Sequence, residues 1–259
     1  MSLNKILVVS GLGSGKGTGA ATAVLFASLG YKVALVSRPR PEIIALRDQI
    51  NSDGPGSAEV FSVEQYDHKN MSKVFQDVKS KWPDCRIRAT VWNTSQWSRI
   101  PFLDITETDI ATSAQLNIIT PVAFAQESVK AFLSEHSADG GHTGGTIIFT
   151  GATSATRGKE YFGAFAAGKH GLRALSQSLA REYGPQGVHV SFVIIDGTIR
   201  TPITLRMFGE REGEAKDWLH DNTKALDPFS IAKAYLYLHE QDPSAWTFEM
   251  DLRPSKEKF

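Results

Sequence analysis

Lys5-Ile6-Leu7-Val8-Val9-Ser10-Gly11-Leu12-Gly13-Ser14-Gly15-Lys16-Gly17-Thr18-Gly19 is the stretch that decides the fold. Its apolar, β-branched opening, Ile6 to Ser10, reads as a buried strand, and Ala20 to Leu29 reads as a helix closed by Gly30. Between them, glycine occupies every second position from Gly11 to Gly19. A strand, a glycine-rich turn and a helix form the layout in which backbone N–H groups meet a phosphate at a helix N-terminus. Glycine is needed there because a Cβ holds the anion off or forbids the backbone conformation. The rival reading is the phosphate loop G-x-x-x-x-G-K-[ST]. Gly15-Lys16 fits its end, but Ser10 stands at its opening glycine and Gly17 at its hydroxyl position. A tight turn with no ligand would not need five alternating glycines.

Outward from this stretch, short apolar runs alternate with segments of helical period, the pattern of a parallel sheet covered on both faces. Lys32 to Ser37, a weaker run at Val60 to Val63, Arg88 to Trp92, Thr146 to Thr150, Val188 to Ile195 and Thr247 to Leu252 are the expected further strands. Helices are expected over Glu42 to Ile50, Asn70 to Lys81, Thr106 to Leu133, Phe162 to Tyr183 and Asp227 to His239, with Asn51 to Ser57 as a loop. Thr106, three residues before Asp109, is a candidate cap, and Pro121 is expected to kink its helix. No repeat or linker interrupts the alternation. The reading is one α/β domain over residues 1–259, a Rossmann-type doubly wound, mostly parallel seven-stranded sheet with helices on both faces. Residues 198–225 lack a stable period and are expected to form a lid.

Composition removes other classes. The 259 residues hold 28 Lys+Arg against 28 Asp+Glu, so the formal net charge is +0, and no basic run offers a footprint for nucleic acid or an anionic membrane. The single Cys85 excludes an internal disulfide and a cysteine-based cluster. His136, Asp139 and His142 lie in a glycine-rich loop without the spacing that fixes metal geometry, so no metal is expected. No run approaches the ~20 apolar residues of a membrane span. With neither signal-peptide nor lipidation pattern read at the ends, the expected location is cytoplasmic.

Along almost its whole length the chain resembles the short-chain dehydrogenase/reductase family. Its T-G-x-x-x-G-x-G loop is similar to Ser10 to Gly19, either with Gly17 and Gly19 as the closing pair or through Gly11, Gly15 and Gly17. Its N-N-A-G is similar to Trp92-Asn93-Thr94-Ser95, where only Asn93 is kept, and its helix Asn corresponds to Asn117. Its Y-x-x-x-K corresponds to Phe165-Ala166-Ala167-Gly168-Lys169, and its P-G-x-I-x-T to Asp196-Gly197-Thr198-Ile199-Arg200-Thr201.

The resemblance implies a nicotinamide dinucleotide. In such folds an acidic residue at the end of the second strand holds the adenosine ribose and repels a 2′-phosphate. Here that strand ends Val36-Ser37-Arg38, where Ser37 and Arg38 suit a phosphate instead, and Lys16 adds a second cation. NADP(H) is the expected cofactor. Gly11, Gly13, Ser14, Gly15, Lys16, Gly17, Thr18, Gly19, Asn93, Lys169 and Gly197 are further candidates to line it. Glu64 and Gln65 are candidates for the adenine edge, and Ile199 and Thr201 for the carboxamide.

In the family a Tyr phenol moves the proton, a Lys lowers its pKa and holds the ribose, a Ser polarises the substrate, and an Asn supports the Lys through water. Lys169 and Asn117 are kept, with Lys169 read as a ribose clamp rather than a proton donor. Phe165 stands at the Tyr position, and counting back the usual spacing lands on Ala152, with Thr153 beside it. Tyr161 and Asp196 are candidate replacement donors, and Asp196 is alternatively an attractor for a cationic substrate. Pre-aligning hydride donor and acceptor can supply up to ~7–11 kcal/mol, whereas a positioned acid supplies roughly 10²–10⁴-fold. The expected activity is therefore hydride transfer to a small carbonyl, imine or conjugated acceptor by a non-standard proton route. The alternatives are an inactive NADP(H)-binding regulatory protein and a non-redox isomerase or cyclase. Apolar residues on more than one face of Phe162 to Tyr183 suggest a homodimer or homotetramer.

Overall fold

The computed structural model describes residues 4–134, 144–209 and 215–257. Its strands are β1 (Lys5–Ser10), β2 (Lys32–Ser37), β3 (Ser57–Ser62), β4 (Arg86–Trp92), β5 (Thr146–Thr150), β6 (His189–Ile195) and β7 (Glu249–Leu252). They form one seven-stranded sheet of order β3-β2-β1-β4-β5-β6-β7, parallel at every pairing. This is the Rossmann-type, single-domain architecture that the alternation implied.

The pleat of β1 explains the layering. Ile6 and Val8 face one apolar cluster, while Leu7 and Val9 face the other. The second cluster is closed by α1 (Thr18–Ser28), α2 (Pro41–Asp53) and α9 (Pro228–Glu240) through Phe26, Ile43 and Leu238. The first is closed by α3 (His68–Lys81), α5 (Thr120–Leu133) and α6 (Gly163–Tyr183) through Phe75, Phe124 and Leu172. A fully buried Phe such as Phe26 or Phe124 contributes roughly 1.5–3 kcal/mol by leaving water.

Local chemistry adjusts the expected boundaries. The polar stretch after Ile50 is not all loop: α2 runs on to Asp53, and the Asn51 side chain accepts from the Ala58 amide at 2.7 Å and donates to its carbonyl at 3.1 Å. That clip brings Ser57 into register with Lys32, so β3 begins earlier than its apolar run. The long helix from Thr106 is divided. Thr106 and Asp109 form the expected capping box at α4 (Glu107–Ala114), and a π-helical turn at Gln115–Ile119 precedes α5. Pro121 is the reason: without an N–H it cannot bond the carbonyl four residues back, and its ring crowds that carbonyl, so the helix widens just before it. The expected kink is thus a π turn, and Asn117 sits inside it.

Between β6 and α9 the chain forms α7 (Pro202–Gly209) and α8 (Ala215–His220), two short helices where no period was legible. Their rings meet through Phe208 and Trp218 at 5.8 Å. Leu172 of α6 is buried in the protein's own core, and Leu175 and Leu179 are half-buried against it. Among the exposed apolar residues are Phe102, Leu103, Ile110, Ile118 and Ile119, which precede α6 in the chain. His136, Asp139 and His142 fall outside the described residues. Among the described residues no helix is long and apolar enough to cross a membrane, and no group of His, Cys, Asp or Glu suits a metal.

Candidate active site

Because every strand is parallel, their carboxyl ends lie on one edge of the sheet. The strand order reverses between β1 and β4, which opens a crevice just beyond Ser10 and Trp92. The turn after β1 lines it. Gly11, Gly13 and Gly15 have φ of 76°, 58° and 75°, a region that disfavours any side chain. Gly11 is doubly constrained, since a Cβ there would stand 2.3 Å from the Asn93 carbonyl carbon. Asn93 Nδ2 donates to the Gly11 carbonyl at 2.6 Å and ties the two strand ends together. Gly17 is the N-cap of α1 and supplies no side-chain cap, so the first amides of the helix are left open. With α1 opening at Thr18, Gly11, Gly13, Gly15 and Gly17 lie in the turn ahead of it. Gly19 packs against the Gly11 carbonyl.

The remaining sequence candidates gather along the same edge. Ser37 is buried at the end of β2, Lys16 and Arg38 are exposed, and Glu64 and Gln65 are exposed just after β3. Thr201 reaches the glycine turn, its methyl 3.8 Å from where a Gly17 Cβ would stand. Ile199 bridges to Leu226 and so fixes the strand-like exit from Gly197. One group escaped the sequence reading. Arg40, the N-cap residue of α2, is exposed beside Arg38, and both guanidiniums oppose the burial that raises the Tyr66 phenol's pKa. The pair Arg38-Pro39-Arg40, two cations spaced by a rigid proline, was the available signal.

At the ends of β5 and β6 lie the candidates for chemistry. Lys169 is buried on α6, and its Nζ donates to the Thr150 carbonyl at 2.9 Å. Burial alone pushes its pKa down to about 7. Phe165, one turn earlier, is buried with its ring centroid 5.8 Å from that Nζ. Asn117 is fully buried in the π turn, where its Nδ2 donates to the Ser113 carbonyl at 2.9 Å and its Oδ1 accepts from Ser95 Oγ at 3.3 Å. Gly168 permits that fit, since a Cβ there would lie 2.4 Å from Ser113 Oγ.

Asp196 is buried but well partnered. It accepts from Thr153 Oγ1 at 2.5 Å and pairs with Arg253 at 3.2 Å, while Arg157 stands 3.9 Å away. The sequence reading offered it as a proton donor or an attractor for a cation. In the structure it is an anchored carboxylate flanked by two guanidiniums, and it holds the Thr153 hydroxyl toward itself. Tyr161 has a positive φ of 69°, an uncommon conformation for a bulky residue, and its ring lies exposed under Arg99 at 4.5 Å. Its hydroxyl is therefore on the rim.

The sheet order and the glycine-lined crevice define the class, a Rossmann-type α/β protein. The family model described as short chain dehydrogenase matches residues 5–211. An uncharacterized short-chain type dehydrogenase/reductase of Sinorhizobium fredii is 29% identical over 202 residues, 77% of this chain and 76% of its own length. A short-chain dehydrogenase of Rhodopseudomonas palustris superposes with a TM-score of 0.76 at 28% identity, covering 97% of this chain and 99% of that one. The L-sorbose reductase of Gluconobacter frateurii, solved with NADPH and L-sorbose, shares the fold at 18% identity with a TM-score of 0.84 over 100% of both chains. The chain belongs to the short-chain dehydrogenase family of oxidoreductases.

Proposed function

We propose that the protein is an NADP(H)-dependent oxidoreductase that transfers hydride to a small carbonyl, imine or conjugated acceptor by a proton route that does not use the usual phenol. The observation that carries the cofactor reading is the pair Arg38 and Arg40 at the end of β2, where no carboxylate stands. A second observation supports a phosphate in the crevice: Thr18 Oγ1 is buried at the start of α1 without a hydrogen-bond partner, beside the uncapped amides that follow Gly17.

The residues divide the work. Gly11 to Thr18 cradle the pyrophosphate, Arg38 with Lys16, Ser37 and Arg40 hold the 2′-phosphate, and Glu64 and Gln65 edge the adenine. Asn93, Gly197, Ile199 and Thr201 border the nicotinamide half, and Lys169 clamps its ribose. When bound, the reduced dinucleotide supplies the hydride. Phe165 walls the substrate pocket with an apolar ring where the family pattern has a hydroxyl. An iminium acceptor is the least demanding substrate there, because hydride alone turns it into a neutral amine.

The test is NADPH oxidation, with product identification, against ketones, imines, iminium ions and conjugated enones. Turnover with at least one class is expected. Tight NADPH binding without turnover of any class would overturn the reading in favour of a regulatory dinucleotide-binding protein.

A further inference from the structure

Resting on that reading, we infer that Lys169 delivers the proton to the oxygen of a carbonyl substrate, taking over the task of the missing phenol. Its Nζ is 3% exposed as part of a residue that has no carboxylate within ion-pair distance among the described residues, and the Thr150 carbonyl is its acceptor at 2.9 Å. An ammonium has three N–H donors, and one carbonyl uses only one of them. The other candidate donors named above are engaged or exposed. Thr153 gives its proton to Asp196, Asn117 is bonded to Ser113 and Ser95, and Tyr161 lies on the exposed rim.

The groups around Lys169 favour proton release. On α6 its neighbour is the Phe165 ring and on β5 it is the Thr150 carbonyl, while the neutral Asn117 amide of the π turn lies against the adjoining Gly168. The Thr150 hydroxyl bonds in turn to the Tyr235 phenol of α9 at 2.7 Å, and burial raises the pKa of that phenol. Among the described residues no charged side chain shifts Lys169, and burial brings it to about 7, the range in which a general acid works best at neutral pH.

In the step, one N–H bond of Nζ breaks as the carbonyl carbon takes up hydride. The carbonyl π pair becomes the new O–H bond, and the neutral amine regains its proton from water. An iminium substrate needs no such proton.

The experiment has two arms on the full chain. In the first, lysine labelled at Cε is titrated by NMR without cofactor, and the Lys169 signal is assigned by its loss in Lys169→Arg, or in Lys169→Gln if the first variant does not fold. A lysine signal titrating near pH 7 is expected, and one titrating above pH 9.5 would overturn the proposal. In the second, Lys169→Arg keeps a cation for the ribose but cannot give up its proton at neutral pH. Ketone reduction is expected to fall about 100-fold further than iminium reduction. An equal fall for both acceptors would reduce Lys169 to a ribose clamp. Wild-type protein that turns over neither acceptor removes the oxidoreductase reading itself. That outcome is distinct, because the lysine titration is read without any substrate.

Discussion

The Thr153 hydroxyl donates to the Asp196 carboxylate at 2.5 Å, so the loop after β5 is tied to the end of β6. The Arg253 guanidinium completes the tie from the chain beyond β7, at 3.2 Å. Asp196→Ala removes the carboxylate that both Thr153 and Arg253 bond and so loosens both segments. The expected cost is on the order of 3 kcal/mol in denaturant unfolding, together with faster amide exchange over residues 153–157 and 253–257. A loss below about 0.5 kcal/mol would show that the carboxylate is not an anchor.

Lys169 makes stability depend on pH in a defined direction. Its folded pKa, about 7, lies below its ordinary value of 10.5, so between these limits the unfolded chain binds more protons than the folded one. This term therefore raises stability as pH climbs from 7 to 10.5, and below pH 7 the full cost of burying the charge is felt. Lys169→Met removes that cost. It is expected to melt higher than wild type at pH 6, by an amount set by about 1.4 kcal/mol per unit of displacement, and to converge with it near pH 10. A difference that stays constant with pH would contradict the buried, unpaired ammonium.

The cofactor reading turns on charge at the end of β2. Arg38→Ala combined with Arg40→Ala is expected to weaken NADPH binding by roughly 10- to 100-fold while leaving NADH within about threefold, since charge-assisted bonds to a phosphate contribute about 1.5–3 kcal/mol. Calorimetric titration of both dinucleotides decides it. Equal losses for the two would place the arginines away from the 2′-phosphate.

Exposed Ile118 lies over Gly171 of α6, with its side chain 2.9 Å from where a glycine Cβ would stand. Phe102, Leu103, Ile110 and Ile119 of the same stretch of chain are exposed as well, and large exposed apolar side chains are what a protein contact covers. We propose that this face pairs two copies of the chain. Light scattering is expected to show a dimer or tetramer for the wild type and a smaller species for Ile118→Lys. A wild-type monomer would refute the pairing.

Much of this architecture was legible because it depends on local spacing. The strand, glycine turn and helix of Lys5 to Ser28 follow from neighbouring residues, as do the cap at Thr106 and the four-residue interval from Phe165 to Lys169. What escaped depends on residues far apart in the chain. Asp196 alone reads as a free acid, and only the fold brings Thr153, Arg157 and Arg253 to it. Leu175 and Leu179 read as a spare apolar stripe, yet tertiary packing half-covers them against the core. Arg40 lay one proline beyond the expected strand end, and its place became clear only when α2 was seen to begin at Pro41. The π turn at Gln115–Ile119 could be anticipated from Pro121 as a disturbance but not in its form.

The central claim is that this chain moves hydride from bound NADPH to a substrate carbon although Phe165 has no proton to give. Turnover with NADPH deuterated at the transferable C4 position, with the product examined by mass spectrometry and NMR, tests it most directly. One deuterium at the former carbonyl or iminium carbon is the expected result. Product without deuterium, formed while NADPH stays reduced, would contradict the claim and make the pocket that of an isomerase or cyclase.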